Sequence, residues 1–226
     1  WFSSIAFVAI VILWQIGRWY KPRIVARKKA ALQRHPDAPS PSRTALAIAV
    51  LIVLVFSKFI YLSSLTSYYT FYLIHKFAVS TQNAQLLLFV FLGANAVGVY
   101  FGGPIGDRVG RRYVIWLSIL GALPFTLALP YAGLTSTIIL SMIIGFIISS
   151  AMPAIIVYAQ ELMPHRFGMI SGLFFGFAFG AGGLGAALLG IVADHKGIDF
   201  VYDFCAFLPA IGLLAVLLPK MPKTAS

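Results

Sequence analysis

Gly103-Pro104-Ile105-Gly106-Asp107-Arg108-Val109-Gly110-Arg111-Arg112 lies between two long apolar stretches and gathers charge and turn-forming residues in ten positions. It is too short to be a domain and too polar to cross hydrocarbon. Its glycines permit a sharp reversal. Asp107 beside Arg108, Arg111 and Arg112 places an acid among bases where one apolar stretch ends and the next begins. The decapeptide therefore predicts a tight turn between two membrane helices, on the side where Lys and Arg accumulate.

Composition agrees with a membrane setting. The chain is 60% hydrophobic and only 10% charged, with a mean hydropathy of +0.92. Several stretches exceed the roughly 18–20 apolar residues that cross a hydrocarbon layer. Alternating ten-residue segments of the kind that build membrane barrels are absent. The expected fold class is all-α integral membrane, with seven transmembrane helices visible. A net charge of +11 would suggest nucleic acid in a soluble protein. Here it fits basic loops on the cytoplasmic face, so the expected surroundings are the lipid bilayer and not nucleic acid. The single Cys205 cannot form an internal disulfide, and no His, Cys, Asp or Glu cluster has metal spacing. No metal or cofactor is expected.

Outward from the decapeptide, the spans fall at Trp1–Trp19, Thr44–Ile74, Asn83–Phe101, Tyr113–Tyr131 with Pro124 inside it, Ser136–Met163 with Pro153 inside it, Gly168–Ala193 and Asp203–Leu218. Short turns join most of them, and Asp194–Tyr202 reads as a longer loop. Residues 20–43 form a basic linker whose second half, His35-Pro36-Asp37-Ala38-Pro39-Ser40-Pro41-Ser42, breaks any helix. Its first half is a solvated connector or a short basic helix on the membrane surface. Residues 44–219 make a six-helix unit, and 220–226 a tail. The chain starts at Trp1 inside an apolar run with no charged segment ahead of it. This is not a signal peptide, and it suggests a fragment whose earlier helices are missing.

Basic residues set the orientation. Lys21, Arg23, Arg27, Lys28, Lys29, Arg34 and Arg43 of the linker, Arg108, Arg111, Arg112, Arg166, Lys220 and Lys223 fall on one side, against Lys76 and Lys196 on the other. The linker, the decapeptide and the C-terminus are thus expected in the cytoplasm. Lys58 then lies about 14 residues, or about 21 Å, beyond the inner end of its helix, near the membrane middle.

The decapeptide resembles the inner-loop signature of the major facilitator superfamily, which joins helices 2 and 3 and recurs in weaker form between helices 8 and 9. Glu161-x-x-Pro164-x-Arg166-x-Gly168 resembles, with one residue fewer before the Arg, the pattern that partners it. The resemblance implies a cytoplasmic gating latch of Gly103, Asp107, Arg108, Gly110, Arg111, Arg112, Glu161 and Arg166; the shifted Arg166 leaves its pairing with Asp107 open, and a merely solvated turn is the alternative. It also implies that the first span is helix 6, that the linker is the central inter-half loop, and that the six-helix unit is the C-terminal half of a twelve-helix transporter. Tyr69-Thr70-Phe71-Tyr72-Leu73, Val157-Tyr158-Ala159-Gln160-Glu161-Leu162, the Ser171–Gly180 stretch and Ala193-Asp194-His195 resemble the fosmidomycin-resistance branch of that superfamily's bacterial exporters. This narrower resemblance covers most of 66–218. It implies proton-coupled efflux of an anionic phosphonate antibiotic across the bacterial inner membrane, with the missing N-terminal half as partner.

Lys58, Tyr61, Tyr68, Tyr69 and Tyr72 fall within an arc of about 100° at 100° per residue. A polar face on a membrane helix meets protein or water, and an unpaired charge at mid-bilayer costs at least about 2.5 kcal/mol. These five are the candidate substrate-binding residues, with Lys58 meeting an anion, a counter-ion in the missing half, or a structural partner. Gly168, Gly172, Gly176 and Gly180 repeat every four residues, a spacing that lets helices pack closely or slide. The interleaved Phe174, Phe175, Phe177 and Phe179 are lipid or core contacts, or drug-stacking rings. Asp107, Glu161, Asp194, Asp199 and Asp203 read as helix-end or loop acids and Asp37 lies in the linker, so the proton-coupling group is expected in the missing half. No nucleophile–base pair or phosphate loop occurs, and His75, His165 and His195 lie at membrane edges, which argues against an enzyme. A transport-inactive sensor or scaffold on the same fold, or a transporter of another small organic solute, remains as an alternative.

Overall fold

A computed structural model describes residues 10–12, 14–16, 41–163 and 166–218. Of the expected first span, only 10–12 and 14–16 are described, and they are helical. The linker up to residue 40, Pro164, His165 and the tail lie outside the described residues. Helix α1 is Pro41–Phe77, α2 Thr81–Val109, α3 Arg111–Leu120, α4 Leu123–Ala128, α5 Leu134–Leu162, α6 Phe167–Lys196 and α7 Ile198–Ala206; 3-10 segments follow α4 at Leu129–Tyr131 and α7 at Leu208–Leu217. Among the described residues these make six segments long and apolar enough to cross a membrane, and no strand is present. The molecule is an all-helical integral membrane bundle.

The helices outrun the apolar stretches that announce them. At 1.5 Å per residue α2 is about 44 Å long, well beyond the ~30 Å hydrocarbon core, so backbone hydrogen bonding continues after the side chains turn polar. The tight turn expected over 103–112 is corrected accordingly. Gly103 to Val109 are helical, with Pro104 inside α2, and Gly110 alone makes the junction to α3. Its φ of +110° is a conformation that favours glycine. The loop expected over Asp194–Tyr202 likewise shrinks to Gly197, at φ +86°. At the linker's end, Pro41, Ser42 and Arg43 belong to α1, because a proline in the first helical turn lacks only an N–H that would have no partner there.

α2 packs chiefly on α5, α1 on α6, and α3 on α5, while the last 3-10 segment closes against α1 and α3. The α2–α5 seam is built on glycine. A Cβ on Gly98 or Gly102 would fall inside the backbone of Phe146 or Ser150. One turn further, Gly106 faces Ala154. The seam thus advances four residues at a time on both helices, which run parallel.

Two hydrophobic clusters fill the bundle. One gathers Leu51, Leu54, Ile115, Ile155, Tyr158 and Phe174; the other gathers Leu65, Tyr69, Tyr72, Phe91, Ile144 and Tyr202. α1 feeds both, and Ser57 and Lys58 sit between its two contributions. The last span is interrupted at Pro209, which has no N–H to give the carbonyl of Ala206. Thr126 donates to that carbonyl instead, at 3.0 Å, and Ser57 donates to Leu208 O at 2.6 Å. In lipid such substitutions are obligatory, since no water reaches a freed backbone group.

Gly102→Ala should lower the stability of the detergent-solubilised protein by about 2 kcal/mol or more, because backbone must move to admit the methyl. Gly93→Ala, where a Cβ meets nothing within 4 Å, should leave it unchanged or raise it by about 0.5–1 kcal/mol. Thermal unfolding midpoints of the two variants test the contrast.

Candidate functional site

Two neighbouring faces of α1 divide its polar residues. Tyr61, Tyr69 and Tyr72 point into the bundle and are 2%, 0% and 1% exposed. Tyr69 pairs with the Ser141 hydroxyl at 2.9 Å. Tyr72 stacks on Tyr202 with ring centroids 3.9 Å apart and accepts from Lys76 Nζ at 2.9 Å. Lys76 also donates to Pro130 O. Tyr68 donates to Ala186 O at 2.6 Å. Tyr68, Tyr69 and Tyr72 therefore join helices, while the buried Tyr61 hydroxyl has no hydrogen-bond partner among the described residues. The arc that groups them faces protein interior.

Lys58 lies within that arc, about 20° from Tyr69 at its edge, and lines an open groove of about 530 Å³ between α1, α2, α5 and α6. Its side chain is 4% exposed, and its Nζ has no hydrogen-bond partner among the described residues. The nearest aromatic face is Phe59, 5.8 Å from Nζ to ring centroid. From about 40° to about 180° further round α1, Leu62, Thr66, Ser63 and Ser67 continue the wall; Asn95 and Ser149 stand on the others, with Phe179 at the margin. Ser63 donates to Gly182 O at 2.8 Å, and Ser149 donates to Asn95 Oδ1 at 2.7 Å. Sequence reasoning missed Asn95 and Ser149, since a lone Asn and a lone Ser inside apolar spans look like packing residues. The usable signal was their cost: each polar group in a membrane helix needs a partner or a cavity.

The charges expected to form a latch converge at the inner end of the α2–α5 seam. Arg111, first residue of α3, donates to Asp107 Oδ1 at 3.0 Å and to Glu161 Oε1. One guanidinium fork thus ties the end of α2 to the end of α5. Arg112 donates to Val216 O at 3.1 Å, reaching the last span. Arg108 and Arg166 are exposed, and no ion pair to either is seen among the described residues. Gly103 stands open, while Gly110 supplies the junction. A Cβ on Gly168, Gly172, Gly176 or Gly180 would meet no described atom within 4 Å; three of these glycines floor a shallow trough with Phe56, Leu173 and Phe177. The close contact expected of them is made by the other four-residue ladder, Gly98–Gly102–Gly106. Phe174 is buried in the core and Phe175, Phe177 and Phe179 are exposed.

The sequence pattern described as the Major Facilitator Superfamily matches residues 1–174 and again 51–226. The chain belongs to that superfamily. It is 56% identical over 219 residues to the fosmidomycin resistance protein of Escherichia coli (strain K12), covering 97% of this chain and 54% of that protein. It is 37% identical over 226 residues to the uncharacterized MFS-type transporter YfnC of Bacillus subtilis (strain 168), covering 99% and 55%. A gallate transporter of Pseudomonas putida is 31% identical over 133 residues, covering 58% and 29%. The chain spans about half the length of the first two of these relatives. In fold it is similar to a crystal structure of the peptide transporter POT in complex with alafosfalin, with a TM-score of 0.68 at 14% identity over 75% of this chain and 37% of that one.

Within this superfamily member, the three inner charges should not be equal. Arg111 and Glu161 are 22% and 28% exposed in their side chains, whereas Asp107 is 66% exposed. A double-mutant cycle of Arg111→Ala with Glu161→Ala should return a coupling of about 1–2 kcal/mol, and one with Asp107→Ala less than about 0.5 kcal/mol, because exposed pairs are screened. Denaturant unfolding of the purified protein measures both.

Proposed function

We propose that this chain forms the C-terminal half of a proton-coupled exporter that moves an anionic phosphonate of the fosmidomycin type out of the bacterial cytoplasm by alternating access. In this reading residues 1–19 are helix 6, residues 20–43 the cytoplasmic link between the halves, and the tail is cytoplasmic as well. The groove is this half's wall of a central cavity whose other wall is the N-terminal half. The two halves rock about the bound substrate. The proton-carrying group belongs to the other half, since no carboxylate lines this groove among the described residues.

The observation that carries the reading is Lys58. A cation this deep without a partner is costly, and a transported anion relieves that cost at the moment it binds. The 56% identity to a fosmidomycin resistance protein supplies the ligand that matches the charge. The Arg111 fork would hold the inner ends of α2, α3 and α5 together while the cavity faces outward, and would loosen when it opens inward. Lys76, Tyr72 and Tyr202 sit at the opposite end, where they brace the outer rim.

Expression of the complete reading frame in a fosmidomycin-sensitive bacterium should raise the inhibitory concentration several-fold over empty vector. Lys58→Ala should return it to the vector level with the protein still present in the membrane at wild-type amounts. Resistance that survives in the Lys58→Ala strain would remove the lysine from substrate binding. Sensitivity of the wild-type strain, with the protein confirmed in the membrane, would return the substrate to another organic solute.

A further inference from the structure

The polar groups of the groove have most of their hydrogens already committed. The hydroxyl of Ser63 donates to Gly182 O at 2.8 Å, that of Thr66 to Ser63 O at 3.4 Å, and that of Ser149 to Asn95 Oδ1 at 2.7 Å. A hydroxyl has one hydrogen, so these three offer none to a ligand. Three sources remain: the ammonium of Lys58, which has no partner among the described residues, the Nδ2 of Asn95, which has no acceptor among them, and the hydroxyl of Ser67. No carboxylate lines the groove among the described residues. The only formal charge among the described lining residues is therefore the ammonium of Lys58, while the hydroxyl oxygens keep neutral acceptor lone pairs.

Ser149 gives Asn95 its direction. The side-chain amide is planar, so fixing Oδ1 against α5 also fixes where Nδ2 points. With Oδ1 accepting from Ser149 at 2.7 Å, the N–H groups of Nδ2 lie on the opposite arm of the amide. Asn95 and Ser149 belong to the α2–α5 seam, one turn from the contact of Gly98 with Phe146, so the pair rides on backbone that cannot shift freely. Lys58 approaches from α1, on the opposite side of the same groove.

We propose that Asn95, aligned by Ser149, is the second fixed donor of an anion site whose first donor is Lys58, and that the two together select a head group whose oxygens only accept hydrogen bonds. The proposal rests on the reading that Lys58 meets the transported anion. A phosphonate dianion presents three oxygens and no hydrogen, enough to engage both donors at once through charge-assisted bonds. A carboxylate presents two. A primary amide carries no charge to pair with the ammonium and offers a single oxygen to the two donors. The site should thus rank phosphonate over carboxylate over amide on a common chain.

The test uses the complete transporter, purified into lipid nanodiscs, with three probes: fosmidomycin, and its analogues in which the phosphonate is replaced by a carboxylate or a primary amide. Binding is read by calorimetry for wild type, Asn95→Asp and Ser149→Ala. Asn95→Asp keeps an oxygen for Ser149 but turns the groove-facing donor into an acceptor. It should weaken fosmidomycin at least tenfold, the scale of one hydrogen bond to a charged group, and leave the amide analogue within about twofold. Ser149→Ala frees the amide to rotate and should lower the preference for phosphonate over amide several-fold. Wild-type affinity for fosmidomycin in Asn95→Asp overturns the proposal while leaving Lys58 as a ligand. If Asn95→Asp loses all probes alike, Ser149→Ala decides, and an unchanged phosphonate-to-amide ratio there overturns it. A wild-type protein that binds all three probes equally, or none, sinks the proposed substrate class and this site with it.

Discussion

The contact of α2 with α5 is the constraint on which the remaining geometry hangs. Two glycines, Gly98 and Gly102, let the backbones touch at Phe146 and Ser150, closer than any side chain would allow. Because the helices are parallel, this one seam runs the depth of the membrane. Towards the middle it brings Asn95 to Ser149 and makes one wall of the groove. At its inner end it brings the termini of α2 and α5 within reach of the same arginine. The groove and the charge cluster are two ends of a single rigid pair, so a change of separation at one end is felt at the other.

Against that rigid pair stands α1, whose role is divided by rotation. Its tyrosines lie on the face that enters the bundle, where the hydroxyls of Tyr69, Tyr68 and Tyr72 find Ser141, Ala186 and Leu129. Lys58 occupies the border between this face and the groove, and between two hydrophobic clusters. That position keeps its ammonium out of both clusters without giving it a partner among the described residues. A binding charge needs such a place: buried enough to act strongly, yet on a surface that a ligand can reach.

The spans were legible because twenty apolar residues leave few alternatives, and the single lysine was legible because it is so costly. Helix ends were less so. The sequence from Gly103 to Val109 looks like a turn by composition, but its backbone continues the helix until Gly110, since hydrogen bonding does not stop where hydropathy does. The two glycine ladders have the same spacing, and spacing gives no sign of which one faces a neighbour; the structure closes the ladder on α2 and leaves the one on α6 open. Periodicity grouped the tyrosines of α1, yet it fixes the angle between residues and not the direction in which their arc points. Asn95 and Ser149 carried a signal of cost but not of pairing, since their meaning lies in each other, 54 positions apart.

The hydrogen bond from Ser57 to Leu208 O joins residues 151 positions apart, and this separation imposes an order on biosynthesis. The α2–α5 seam can form once α5 has left the ribosome. Ser57 must wait until Leu208 has been made, so α1 enters the bilayer with this polar flank uncovered. Lys58, its neighbour, travels in the same condition. The insertion machinery must therefore shelter α1 until the interrupted helix at Pro209 arrives and closes against it.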